Sequence, residues 1–300
     1  GVGRSDPELV YRVADLYWRG EWSYTPGRAV AVIEQAAQQA FEAFDNRKAL
    51  QFLEQAEEIR RVENMQPNGD TIYLTGELLV RLGSLAAGQA LLERALSLPC
   101  DPLRKATILS RIARVHEWQL DSARAWDALR RAFVALGVPF PDTTPISLAK
   151  SARAWVRATT GRVRHSADDV KKRQAILCVL YYRTFRVGWL SANVPQTIQA
   201  AVLGLEAAQS LGVSAALSKA YLAYAMVLTA LGQRERGRSY LRQGEDVARA
   251  TRDPVAIAHS VQMHSAIASW DGNVAEALEV GGRCLIEHGH WQDFSEHCLL

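Results

Sequence analysis

The chain has little of what marks a secreted scaffold, a membrane protein or a catalyst. It has four cysteines in 300 residues, Cys100, Cys178, Cys284 and Cys298, and no two of them form a CxxC pair. A disulfide framework needs dense, patterned cysteines in a small chain. Free thiols in a reducing compartment, the cytoplasm, are therefore expected. No run approaches the ~20 uncharged apolar residues that cross a bilayer. There is no GxxxxGKS/T, so no loop to cradle phosphate, and no GxGxxG, GxSxG, HExxH or kinase signature. No enzyme, cofactor or metal is expected, and any catalytic domain of a parent protein would lie outside these residues. An excess of one charge sign is also missing: 35 basic and 32 acidic residues leave +3. That balance is too even to make nucleic acid or an anionic membrane the main partner. The first residues, GVGRSDPELV, lack an initiator Met and a signal-peptide core, and the last, DFSEHCLL, stop within a helical pattern. Both ends read as cuts in a longer protein.

What is present is a repeat. The chain is 48% hydrophobic and 22% charged, which is globular composition, and good helix formers dominate it. In one segment Gly76, Gly83, Gly88, Leu92 and Ala95 are separated by seven, five, four and three residues. The same steps connect Ala113, Leu120, Ala125, Leu129 and Ala132. They recur at Ala225, Gly232, Gly237, Leu241 and Gly244, and at Ser265, Gly272, Ala277, Gly281 and Cys284. Such a grid suits two antiparallel helices joined by a tight turn. Small residues sit where the backbones approach, and glycine ends the first helix in a left-handed conformation without a Cβ clash. A single hairpin cannot bury its outer face, so it stacks on the next.

Periodicity and punctuation predict helices near 8–20, 28–44, 47–63, 69–82, 85–98, 102–118, 122–136, 146–159, 167–190, 195–211, 214–231, 234–251, 254–270 and 273–288, with another opening near 291. No period-two strand pattern occurs. The expected fold is all-α, a right-handed solenoid of stacked antiparallel hairpins without a β-sheet. One segment breaks the rhythm. Residues 137–166 open with a proline-rich loop and continue into a basic helix, reading as an insertion between repeats at 1–136 and repeats at 167–300 or simply as a long connection.

These features resemble the tetratricopeptide repeat family, best from Gly69 to Cys100. Other repeats depart from its pattern: their helices are longer, proline is late (Pro254) or absent, and Tyr221 stands where the family places an early Trp. A narrower resemblance is carried by DPELVYRVADLYWRG, by RAVAVIEQAAQQAFEAFDNRKALQFLEQAEEI and by the junction ALRRAFVALGVPFP. These are similar to the repeat region of large bacterial signal-transducing ATPases of the STAND type. That resemblance implies a sensor or regulatory arm.

The expected role is non-catalytic docking of a protein or peptide, or of another domain of the same polypeptide, in a groove lined by the first helix of each hairpin. On the repeat grid its residues are Tyr73, Glu77, Arg114, Glu117, Met226, Thr229 and Gln262. Co-chaperone tetratricopeptide domains place Lys and Asn at such positions to hold a carboxylate; this chain does not, so that role is disfavoured. A small-molecule sensor with a pocket near Trp189 or Tyr221 is one alternative. A nucleic-acid-binding solenoid is the other, through Lys150, Arg153, Arg157, Arg162, Arg164, Lys171, Lys172 and Arg173; a solvated face or an acidic protein partner suits that surface better. A cluster of Glu287, His288, His290, His297 and Cys298 offers metal-ligand chemistry but matches no finger spacing, and a polar turn is the preferred reading. Most of the eight tryptophans should pack between helices, with Trp22 having the weakest case for burial.

Overall fold

A computed structural model describes residues 7–20, 22–160 and 168–292. Helix is the sole regular structure among these residues, with no strand. Fourteen helices are described, and every expected helix is present with its ends within two residues of expectation. The element expected near 291 is a single 3-10 turn at Gly289–Trp291 within the described residues.

Local chemistry sets the boundaries. Asp45, Asn68, Asp101, Asp121, Asn193, Ser214, Asp253 and Asn273 each cap a helix by accepting a hydrogen bond from a backbone N–H of its first turn. Pro102 and Pro254 follow such caps and occupy the first turn, where no N–H partner is needed.

The contacts divide the chain into two compact units, Gly1–Pro99 and Cys100–Leu300. This division lies well before the boundary at 136/137 suggested by the sequence. In the first unit, α1 (Pro7–Arg19) lies on α2 (Pro26–Glu42). Then α2 pairs with α3 (Asn46–Val62), and α4 (Gly69–Arg81) pairs with α5 (Leu85–Ser97). Ile33, Leu53, Ile59 and Leu78 are at the centre of its core, and a set of buried alanines lets α2 and α3 approach.

The described residues of the second unit form four hairpins. They are α6 (Pro102–Trp118) with α7 (Ser122–Ala135), α9 (Asp168–Leu190) with α10 (Val194–Gln209), α11 (Ala215–Ala230) with α12 (Arg234–Thr251), and α13 (Pro254–Trp270) with α14 (Val274–His288). The first helices pack in file: α6 on α9, α9 on α11, α11 on α13. The helix that breaks the rhythm, α8 (Pro145–Thr160), lies against α10, outside that file. Its proline-rich lead-in is well anchored. Phe140 meets Trp126 and Phe133 edge-on, and Gln196 donates to the Pro141 carbonyl. Residues 137–160 are therefore a built-in part of the second unit, between the α6/α7 and α9/α10 hairpins in sequence.

The spacing grid has a direct structural cause. A Cβ on Gly88 would lie 2.8 Å from the Gly76 carbonyl oxygen and 2.6 Å from Val80 Cγ2, so α4 and α5 touch backbone to backbone. At the matching place in the last hairpin, Ser265 donates to the Ala277 carbonyl at 2.8 Å. The turn position is left-handed in all four segments: φ is +86° at Gly83, +77° at Gly232, +83° at Gly272 and +57° at Leu120. Leucine in that region carries a Cβ clash of about 1–2 kcal/mol that glycine avoids. Leu120 is 78% exposed, so its side chain contributes little packing in return. Replacing it with glycine should raise stability by about 0.5–1 kcal/mol after the extra chain entropy of glycine is subtracted. Urea denaturation of the L120G variant checks this, and an unchanged or lower midpoint would contradict it.

Candidate functional site

Six of the seven expected groove residues are buried. Glu77, Arg114, Glu117, Met226, Thr229 and Gln262 are each under 9% exposed, and Tyr73 alone is half-buried. In this conformation the six belong to the helix layer and offer a partner almost no surface. The physical reason is that each of these helices packs on more than its hairpin partner: α6, α11 and α13 on other first helices, and α4 on α3 as well as α5.

Within the first unit, Glu77 takes a hydrogen bond from Arg81, whose guanidinium also lies 3.8 Å from the Phe41 ring centroid and reaches Asn46. A second polar knot joins three helices. The Glu34 carboxylate accepts from Arg60 at 2.8 Å, from Asn68 at 3.3 Å and from the Thr71 hydroxyl.

Within the second unit the polar contacts connect different helices, most of them in different hairpins. Glu117 on α6 is fully buried and binds two arginines of α9, Arg183 at 3.2 Å and Arg186 at 2.6 Å. One turn away Arg114 stacks over the Trp118 ring at 4.4 Å. On α9, Tyr182 makes a 3.0 Å hydrogen bond to His259 of α13. Further along, His264 on α13 lies between Glu245 of α12 (2.7 Å) and Glu276 of α14 (3.0 Å).

Beside these links is a cavity of about 160 Å³ formed by α9, α10 and α11 with Arg111 of α6. Arg111, Arg183 and Lys219 bring positive charge to it, while Tyr181, Tyr182 and Phe185 supply rings. Trp189 and Tyr221, the sequence markers for a ligand pocket, do not line it. Burial pushes Cys178 and Tyr181, both in its wall, up to about 12. Both therefore stay protonated and neutral at physiological pH, and Cys178 is no nucleophile.

The basic surface is partly engaged in packing. Arg157 binds Glu206 at 3.1 Å, and Arg173 donates to the Leu136 carbonyl at 2.8 Å. Lys150, Arg153, Lys171 and Lys172 are exposed. Arg162 and Arg164 lie outside the described residues, as do His165, His297 and Cys298. Among the described residues no three His, Cys, Asp or Glu side chains are placed to hold a metal ion. Cys100, Cys178 and Cys284 are free thiols. No helix of the described residues is long and apolar enough to cross a membrane. Trp22 is half-buried against the first unit's core, while Trp155 and Trp270 are the exposed tryptophans.

Sequence reasoning did not single out Arg183, Arg186, Lys219 or the His264 clasp. The available signal was Arg183 and Arg186 three apart in the apolar run of α9, where a cation must find a buried partner. The partner, Glu117, is 66 residues from Arg183, a separation that periodicity does not bridge.

No family model matches the chain, and no curated protein matches it. Among solved structures, the crystal structure of aspartyl phosphate phosphatase F from Bacillus subtilis is similar across 100% of this chain and 94% of its own, at 12% identity and a TM-score of 0.37. A likeness that distant says nothing of activity or partners.

Two outcomes are expected from the links. Glu117→Gln removes the only charge that Glu117 offers to two largely buried guanidiniums. It should cost about 3 kcal/mol; a denaturation midpoint like the wild type's would show that the arginines find other partners. The His264 pKa is raised, chiefly by its hydrogen bond to Glu245 and further by Glu276, against an opposing effect of burial. A histidine that binds its proton more tightly when folded adds stability below its unfolded pKa of about 6.5. That contribution is lost as pH rises through the raised folded value. Thermal unfolding of the full chain should therefore lose stability across this window more steeply than that of the His264→Gln variant. Parallel pH profiles for the two would refute the clasp.

Proposed function

We propose that this chain is a non-catalytic docking and regulatory region of a larger bacterial signalling protein, cytoplasmic, and acting through a protein or peptide partner or a neighbouring domain. The observation that carries the reading is the set of polar links between different hairpins of the second unit. Glu117 ties α6 to α9, and Tyr182 ties α9 to α13. Simple helix stacking does not require buried charge, and apolar residues of similar volume would serve stability as well. Directional links do make the stacking of one hairpin sensitive to the position of the next. A partner that prefers one stacking arrangement would then shift the equilibrium of whatever domain is attached.

In each unit, the surface on offer is the half-buried and exposed rim of the first helices rather than the buried grid positions. Tyr73 on α4 is half-buried and Val179 on α9 is exposed. Val134 on α7, also exposed, lies on the second helix of its hairpin. A photo-crosslinking amino acid placed at each of the three, in the cells that make the protein, discriminates between faces. Adducts to a defined partner are expected from positions 73 or 179 and not from 134. Adducts from 134 alone, or from none of the three, would overturn this placement.

A further inference from the structure

The helix that breaks the rhythm, α8, is patterned inside out. A helix lying on a protein surface normally buries its large apolar residues and exposes its polar ones. In α8 the buried side chains are Ser151, Ala154 and Ala158. Its large apolar side chains, Ile146, Leu148, Trp155 and Val156, are all between 43% and 71% exposed. Ile146, Ala149, Arg153 and Val156 fall at steps of three, four and three, so they share one stripe of the helix. Leu148, Ala152 and Trp155 form the stripe beside it. Ala149 and Ala152 are exposed too, giving a shallow floor between two apolar ends. A contiguous apolar face left in water marks an interaction site.

Hydrogen bonds fasten this helix in place of large apolar contacts. Ser147 donates to Gln199 at 3.2 Å, Trp155 to the Tyr224 hydroxyl at 2.8 Å, and Gln209 to the Ala158 carbonyl at 3.0 Å. They fix its orientation, so the outward face is held on a firm mount. At its foot the proline-rich lead-in encloses a recess of about 190 Å³, with Val138, Phe140, Tyr181 and Leu203 in its wall and Ile146 and Lys150 of α8 beside them. A cavity of about 150 Å³ takes a benzene ring, so this one has room for a leucine or phenylalanine side chain. The charge on α8 has one sign: Lys150, Arg153 and Arg157, with no acid. Arg157 is answered by Glu206, whereas Lys150 and Arg153 are exposed and have no ion-pair partner among the described residues. The Asp142 carboxylate in the recess wall is taken up by the Thr144 backbone N–H and hydroxyl.

We propose that the outward face of α8 and the recess at its foot dock an acidic amphipathic helix of a partner protein. One large apolar side chain of the partner fills the recess as an anchor. Its apolar stripe covers Ile146, Leu148, Trp155 and Val156, and its carboxylates pair with Lys150 and Arg153. A second copy of this chain fits poorly, because two α8 faces brought together set the same cations against one another. An anionic membrane calls for a cluster of about four or more cations beside the apolar face, and α8 offers two that are free. This surface is separate from the rim of the first helices, and either can fail without the other.

The test uses the full chain and a display library of random peptides of about 16 residues, the length of α8. Enriched peptides are synthesised and measured by fluorescence anisotropy. They should be acidic, carry a Leu, Phe or Trp, and bind with a Kd below about 100 μM, more weakly as salt rises. Lys150→Glu combined with Arg153→Glu should weaken binding about tenfold or more, and so should Ile146→Asn. Lys105→Glu combined with Arg283→Glu makes the same charge change at exposed sites on α6 and α14. That control pair should leave binding within about twofold of the wild type. The proposal is overturned if no acidic peptide is enriched, if salt has no effect, or if either α8 variant binds as the control pair does. It is also overturned if sedimentation shows a dimer that Ile146→Asn dissociates. Flotation with vesicles of phosphatidylcholine and phosphatidylserine, abolished by the α8 charge pair, would overturn it in favour of a membrane. The peptide composition and the salt response need no variant, so they decide the matter even if a substitution disturbs folding.

Discussion

Everything in this architecture depends on how closely two antiparallel helices can approach at a few small residues. Gly76 and Gly88 bring α4 and α5 to backbone contact, and Ser265 reaches the Ala277 backbone at the equivalent place in α13 and α14. Helices that close expose a broad, shallow surface, and the larger residues at the intervening grid positions fill it. Leu92 and Leu129 are wholly buried. The turn that allows the approach needs a left-handed residue, which is why glycine recurs there and why Leu120 is the strained member of the set. One hairpin of this kind leaves an apolar face open, and stacking follows from the need to cover it.

Close stacking has a consequence for polar groups. Once α6, α9, α11 and α13 pack in file, the side chains between them have no route to water, and any charge there must be answered from a neighbouring helix. Glu117 is answered by Arg183 and Arg186, Tyr182 by His259, and Glu34 in the first unit by Arg60 and Thr71. Each link joins different helices, so each fixes the register between them. Apolar packing tolerates small slips between neighbouring helices, whereas a buried ion pair loses most of its energy when its geometry changes. The polar links thus specify one stacking arrangement within each unit and make departure from it a discrete event.

The sequence revealed what is periodic and local. The helices, their ends and the contact pairs twelve residues apart follow from spacing, aspartate and asparagine caps, and prolines in the first turn. The groove residues were placed on the correct helices, but the grid reports only which side of a hairpin a residue occupies. It does not report that a third helix covers that side, so Glu77, Arg114, Glu117, Met226, Thr229 and Gln262 read as accessible and are buried. The proline-rich segment read as a break because turn residues are conspicuous. The aromatic contacts of Phe140 that anchor it join residues whose pairing no local pattern announces. The cationic cavity was illegible for the same reason. Its three charges come from three helices, and Arg111 and Lys219 are 108 positions apart in the chain.

That cavity follows from the same constraint as the fold. Small residues on α10 and α11 serve close helix packing where they face a backbone or another small residue. Where they face α9, whose sequence Tyr181-Tyr182-Arg183 is bulky, the rings hold the helices apart and the small residues leave a recess. An apolar recess of this size could remain empty at modest cost. A recess with three cations at its edge is different, because charge held away from water is destabilising unless something answers it. Glu117 answers part of it from outside the cavity wall. Arg111 and Lys219 are engaged as well. The alternation of small and large residues that makes the hairpins stack therefore also leaves, at this junction, a recess beside the ion pairs that fix the register of α6 on α9.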